Sequence, residues 1–270
     1  MIFEELSPDR EPTRAALHSY AHAATTLNRV HGIAHPKWWH VSLKPRPSGL
    51  VADPIPLPAG GALEVRLDLV RHAVAIESNT GPVAEFPMGD GATGSEMGDR
   101  ILAVAAELGL EGSYDRSKFE SDEATEYDPA DASALMATFL DASAVFERRR
   151  VSVEGSVGPI QLWPHGFDLA YEWFGTRTEP YEEDGKTTQL PSQINLGFYP
   201  QGRSYFYSNP WPFEESLLAV ELPHGGEWNT EGWQGSILYH DQLAGDPAAA
   251  TKLEEFAKAV FDAAAPTLTV

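Results

Sequence analysis

WPHGFDLAYEWFG, Trp163 to Gly175, sets five aromatic residues around one histidine and one aspartate. Strand alternation puts Phe167, Leu169, Tyr171 and Trp173 on one face and Asp168, Ala170 and Glu172 on the other. The aromatic face predicts core, and the other a more polar surface. Pro164 and Gly166 flank His165, so the histidine sits on a bend that can aim a side chain into a cleft. Asp168 at the strand start has two readings: an Asx bond to that bend, or a general base.

Outward from this stretch the second half reads as strands. They are placed at Ile160–Phe174, Gln193–Tyr199, Ser204–Ser208 and Gly235–His240. TRTEPYEEDGKTTQLPS, residues 176–192, reads as a charged loop, either a lid or disordered. Asp246-Pro247 opens a last helix with the stripe Leu253, Phe256, Ala257, Val260 and Ala264.

In the first half, Pro12 to Val30 reads as a helix with Leu17, Tyr20, Ala24 and Leu27 as its apolar stripe. His22 lies opposite that stripe and His18 on its flank, which predicts solvent exposure for both. WWHVSL, Trp38 to Leu43, reads as a strand. Pro54, Pro56 and Pro58 are too frequent for a central strand. Leu63, Val65, Leu67 and Leu69 alternate with charges as a half-buried strand, and Ala73 to Glu77 is its hairpin partner.

Thr93 to Glu96 fits a capping box, and Gly109 to Tyr127 a connecting loop. Asp128-Pro129 starts a long helix with the stripe Leu135, Phe139, Ala142 and Phe146. The fold class is therefore α+β, a mostly antiparallel sheet with packed helices. Residues 12–110 and 128–266 each run from a helix through WWH or WPH to further strands and a helix. This order raises an internal duplication with pseudo-twofold halves, in which His40 and His165 occupy matching points.

Composition narrows the function classes. Lys and Arg number 19 against 40 Asp and Glu, a net charge of −21 that repels phosphate backbones and anionic membranes. There is no cysteine, which removes thiolate chemistry and thiolate metal sites. No apolar run approaches the roughly 20 residues of a membrane span, and MIFEELSPDREP lacks signal-peptide features. A soluble, cytoplasmic, bacterial protein is expected.

No GxSxG, GxxxxGK[ST] or GxGxxG pattern occurs, and no cofactor can be named. His18 and His22 have the i, i+4 spacing of a chelating pair but lack the glutamate of HExxH. His18, His40, His165 and Asp168 form a composite metal site only if the fold joins them. Trp228, Glu231 and Trp233 beside glycines, with Asn195, Tyr205, Tyr207 and Trp211, suit either a small-molecule pocket or a plain aromatic core.

WWHVSL, GLVADPIPLPAGGALEVRLDLVRHAVAI, YDPADASALMATFLDASAVF, GPIQLWPHGFDLAYEWFG, QINLGFYPQG, YFYSNPWPF and WNTEGWQGSILY together resemble the bacterial DUF5996 family, across nearly the whole chain. The resemblance implies one full-length unit, residues 1–270, and draws attention to His18, His40 and Asp168. Similar members read WPHHFDL, where this chain has Gly166.

Two functional readings follow. One is a small-molecule-handling protein, with a hydrolase- or lyase-type enzyme as its extreme. Its pocket would hold Trp39, Asn195, Tyr207, Trp233 and Glu231, with Asp168, His40 and His165 as catalytic groups. The other is a non-catalytic interaction or structural protein whose aromatics are core. Oligomeric state is not readable.

Overall fold

The computed structural model describes residues 3–183 and 185–270. Its helices are α1 (Glu11–His31), α2 (Gly94–Glu107), α3 (Pro129–Ser152) and α4 (Ala249–Ala264). The strands before α3 are β1 (Leu43–Arg46), β2 (Gly49–Ala52), β3 (Ile55–Pro56), β4 (Ala62–Asp68), β5 (Ala73–Ser78) and β6 (Gly81–Pro87). After it come β7 (Ser156–Val157), β8 (Gln161–Trp163), β9 (Asp168–Glu183), β10 (Lys186–Tyr199), β11 (Tyr205–Trp211), β12 (Glu227–Asn229) and β13 (Gly235–Tyr239). Every registered pairing is antiparallel, as the α+β reading expects.

The chain packs as two compact units. The first comprises Leu6–Leu140 and Gln161–Asp168; the second takes the N-terminal residues through Glu5, Asp141–Ile160 and Leu169–Val270.

In the first unit the strand order is β8-β1-β2-β4-β5-β6, with β3 on β4. Helix α1 lies against α2 and strands β2 to β4. Leu17, Tyr20, Ala24 and Leu27 are fully buried, and so are Thr25 and Asn28 on its other sides. The Tyr20 hydroxyl donates to the Ala92 carbonyl at 2.8 Å, tying α1 to the chain before α2. The capping box of α2 is complete: Glu96 N–H donates to Thr93 Oγ1 at 3.1 Å, and Thr93 N–H to the Glu96 carboxylate at 2.9 Å. Thr93→Ala should therefore cost about 1 kcal/mol. A thermal melt reads it, and an unchanged Tm would refute the cap's contribution.

The WWHVSL stretch is not a strand. Trp38 adopts a left-handed φ of 60°, Trp39–Val41 form a short 3-10 turn, and β1 begins only at Leu43. The turn is closed by Val41 N–H to Trp38 O and Ser42 N–H to Trp39 O. His40 therefore lies on a turn before β1, and His165 lies on the bend between β8 and β9.

In the second unit the order is β9-β10-β11-β13-β12, with β7 on β9. Phe198 and Phe206 cover one sheet face, their rings 4.9 Å apart, and Phe3 and Phe146 pack on Phe206. The α4 stripe Leu253, Phe256, Ala257, Val260 and Ala264 is buried as read. Asp246 caps the approach to α4 by accepting from Ala248 N–H at 2.7 Å.

The 176–192 stretch is not a loop. It continues β9 and β10 as an antiparallel ribbon, from Lys186 opposite Glu183 to Pro191 opposite Thr178. Asp184 in that stretch lies outside the described residues.

Candidate functional site

Strand alternation builds the first candidate, in the second unit. On β11, Tyr205, Tyr207, Asn209 and Trp211 are half-buried on one face, while Phe206, Ser208 and Pro210 are buried on the other. Register then aligns neighbours on the half-buried face. Glu172 faces Asn195, which faces Asn209, and Gly235 on β13 faces Asn229 on β12. A polar row of Glu172, Asn195 and Asn209 thus crosses β9 to β11 beside a second row of Ala170, Gly197, Tyr207, Ile237 and Glu227.

Two glycines admit the aromatics over this face. A β-carbon on Gly197 would lie 2.4 Å from Tyr207 Cζ, and one on Gly235 would lie 2.4 Å from Trp233 Cζ3. The Trp233 ring stands 6.3 Å from Tyr205, nearly parallel, and 6.1 Å from Tyr207, nearly perpendicular. Asn229 Nδ2 donates to the carbonyls of Trp233 at 2.6 Å and Glu231 at 3.2 Å, which sets the turn carrying the indole. Asn195 Oδ1 is shut off from solvent without a protein partner. The fold therefore brings Asn195, Tyr207 and Trp233 to one face. Glu231 is exposed and contributes its backbone carbonyl.

Glu172 is a residue that sequence reading passed over. It was assigned to a polar face, yet Asp168, Ala170 and Glu172 are as buried as the aromatic side of β9, Glu172 being 8 % exposed. Phe167 of the aromatic set precedes the strand with a left-handed φ of 52°.

The first unit holds the histidines. His18 and His22 are half-buried rather than exposed, their rings 5.0 Å apart. The Phe167 ring packs 5.7 Å from His18. Desolvation lowers the His18 pKa, Arg14 pushes the same way, and the Pro164 and His165 carbonyls oppose them. His22 is held down to about 4, first by desolvation and then by His18, Arg29, His165 and Lys118.

His165 is exposed on its bend, with its ring 5.8 Å from Trp163. Asp168 is buried, and its Oδ1 lies 2.5 Å from where a Gly166 β-carbon would stand. Its carboxylate thus folds back over the bend. This Asp168 rotamer and any side chain at 166 exclude each other.

His40 belongs to a separate group. Its Nδ1 accepts the His35 N–H at 3.2 Å, and its ring stacks 5.7 Å from exposed Trp38. Desolvation lowers its pKa, with His35 and Arg29 adding to the effect. Among the described residues no hydrogen bond or ring contact joins His40 to His18 or His165. No group of three or more His, Asp or Glu among them could hold a metal ion, so the composite metal site is not assembled.

Trp39 stacks on His35 at 4.2 Å. Its carbonyl accepts from Lys44 Nζ at 3.0 Å, and Lys44 also reaches Ser42 Oγ at 2.8 Å and Asp53 at 3.1 Å. All three ammonium donors are thereby used, and Ser42 is fully buried. The Ser42–Lys44 pair is a structural joint, not an exposed nucleophile with its base.

No helix among the described residues is long and apolar enough to cross a membrane. No curated protein and no solved structure shows a significant match to the chain. The model of a family of unknown function, DUF5996, matches residues 6–269, nearly the full length. On that match the chain belongs to the DUF5996 family.

Proposed function

We propose that this protein binds a small polar molecule on the half-exposed sheet face of its second unit. The observation that carries this reading is the placement of Tyr207 and Trp233 over glycines, beside the row of Glu172 and Asn195. Aromatic surface with a few fixed polar groups is the composition of a ligand site. Aromatics buried as plain core would sit on the opposite face with Phe198 and Phe206 instead. Glu172 and Glu227 on this face, in a chain of net charge −21, favour a neutral or cationic ligand.

Catalysis is no part of the proposal. The Asp168 carboxylate is folded over its own bend, and His40 Nδ1 is engaged by a backbone N–H.

Tryptophan fluorescence titrated with neutral saccharides and with amines tests the reading. Saturable quenching is expected, weakened about tenfold in Asn195→Ala, equivalent to about 1.4 kcal/mol. Gly197→Val should displace the Tyr207 ring and weaken binding further. Titrations in which both variants bind as the parent does would rule the face out. No saturable response to either class would favour the non-catalytic structural protein.

A further inference from the structure

The polar side of α1 is the strongest feature that the proposed sheet-face site leaves unused. Arg14, His18 and His22 are spaced by four residues, so they stack on successive turns of one helix face. The bend Pro164–His165 faces the middle of this stack through its carbonyls on His18.

Arg14 is 5 % exposed. Glu11 holds one edge of its guanidinium, accepting from Nε at 2.8 Å and Nη2 at 2.7 Å. Nη1 is closed off from solvent without a protein acceptor, and so are His18 Nε2 and His22 Nδ1. A buried guanidinium N–H without an acceptor is costly, which makes this a place prepared for one.

Charge decides what that acceptor is. The groups acting most strongly on His22 are His18, Arg29, His165 and Lys118; on His18 they are Arg14 and His165. All are cationic or protonatable. They gather in a chain with 40 acidic residues against 19 basic ones. A metal cation between His18 and His22 would sit beside Arg14 and against this field. An anion is favoured by it.

We propose that Arg14, His18 and His22 form a binding site for a small oxyanion, the carboxylate or phosphate group of a small molecule. Arg14 Nη1 supplies a fixed, charged donor oriented by Glu11. The two imidazoles become donors by taking up protons when the anion arrives. The Phe167 ring backs the site behind His18. The titratable and charged groups facing the pair are Arg14 and Arg29 from α1, His165 from the bend and Lys118 from the Arg116–Lys118 turn.

The test is calorimetry on the full chain in chloride-only buffers, with inorganic phosphate and with succinate, at about pH 7.5 and about pH 6. Saturable binding of at least one is expected, tighter at the lower pH. Net proton uptake is read from buffers of different ionisation enthalpy. Phosphate alone identifies a phosphorylated ligand, and succinate alone a carboxylate. R14Q should weaken binding about tenfold or more.

Because Arg14 is buried, H18Q and H22Q provide a second arm. Each should keep the fold, lose part of the proton uptake and flatten the pH dependence. No saturable binding of either anion at millimolar concentration would overturn the proposal. So would parent-like affinity and proton uptake in folded H18Q and H22Q.

Discussion

Gly49→Ala is expected to cost roughly 3–5 kcal/mol, a large part of the ~5–15 kcal/mol that holds a typical domain folded. Two independent effects coincide at this glycine. Its φ of +143° is unfavourable for any residue with a side chain. Its β-carbon would also fall 1.9 Å from the Leu67 carbonyl oxygen and 3.0 Å from Leu69 N. Those atoms belong to the backbone of and just beyond β4, which pairs Gly49 with Asp68. Just beyond the pair, Leu69 N–H donates to Ser48 O at 3.1 Å. A side-chain neighbour could rotate away, but a paired strand cannot.

Relief of the clash requires β2 and β4 to part. The expected drop in Tm is roughly 10 °C. Gly81→Ala is the control, since its φ is +122° but nothing lies within 4 Å of its β-carbon. It should lose only the dihedral cost, about 1–2 kcal/mol. Equal losses in the two variants would show that the carbonyl contact is not the cause.

The first unit shows which features are local. Helix α1, the β4–β5 hairpin and the capped start of α2 were readable because their signals lie within a few residues. WWHVSL misleads because aromatic and β-branched residues favour strands, while the left-handed turn at Trp38 is fixed by hydrogen bonds that composition does not encode. The 176–192 ribbon misleads for the opposite reason. Exposed along most of its length, it has no core to face and shows no hydrophobic alternation.

The candidate sites divide in the same way. Asn195, Tyr207 and Trp233 stood out by residue type, and antiparallel register then brought them to one face. Glu172 could not be placed, because its burial depends on β10 lying beside it and on both faces of β9 being covered there. His18 and His22 were misjudged because a helical wheel assumes one buried side. Packing surrounds α1 on nearly all sides, so residues opposite the apolar stripe are also withdrawn from water. The four-residue spacing of Arg14, His18 and His22 was the signal that could have revealed the stack.

That withdrawal has an expected consequence in acid. In the folded chain His22 is held down to about 4 by burial and by its cationic neighbours. In an unfolded chain an imidazole titrates near ~6.5. Below pH ~6.5 the unfolded state therefore binds a proton that the folded state does not. Stability present above that pH is lost as the pH falls toward about 4, and the His22 contribution levels off below it. The loss for His22 is on the order of 2 kcal/mol, after allowing for its partial exposure. His18 and His40, also lowered by burial, act in the same direction. The carboxyls of Glu64, Asp131 and Asp141, raised by burial, act against it, while the lowered carboxylates Asp68, Asp90 and Asp246 lose their contribution only as pH falls further. Urea unfolding across the window in chloride buffer measures the slope, and His22→Gln should flatten it by about the His22 share. Identical slopes for parent and variant would show that the ring is not desolvated as described. An oxyanion bound beside Arg14 would reverse the sign, because it rewards the protonated pair that folding alone penalises. Added phosphate should then recover stability most at the acid end, where the unliganded chain has lost most of it.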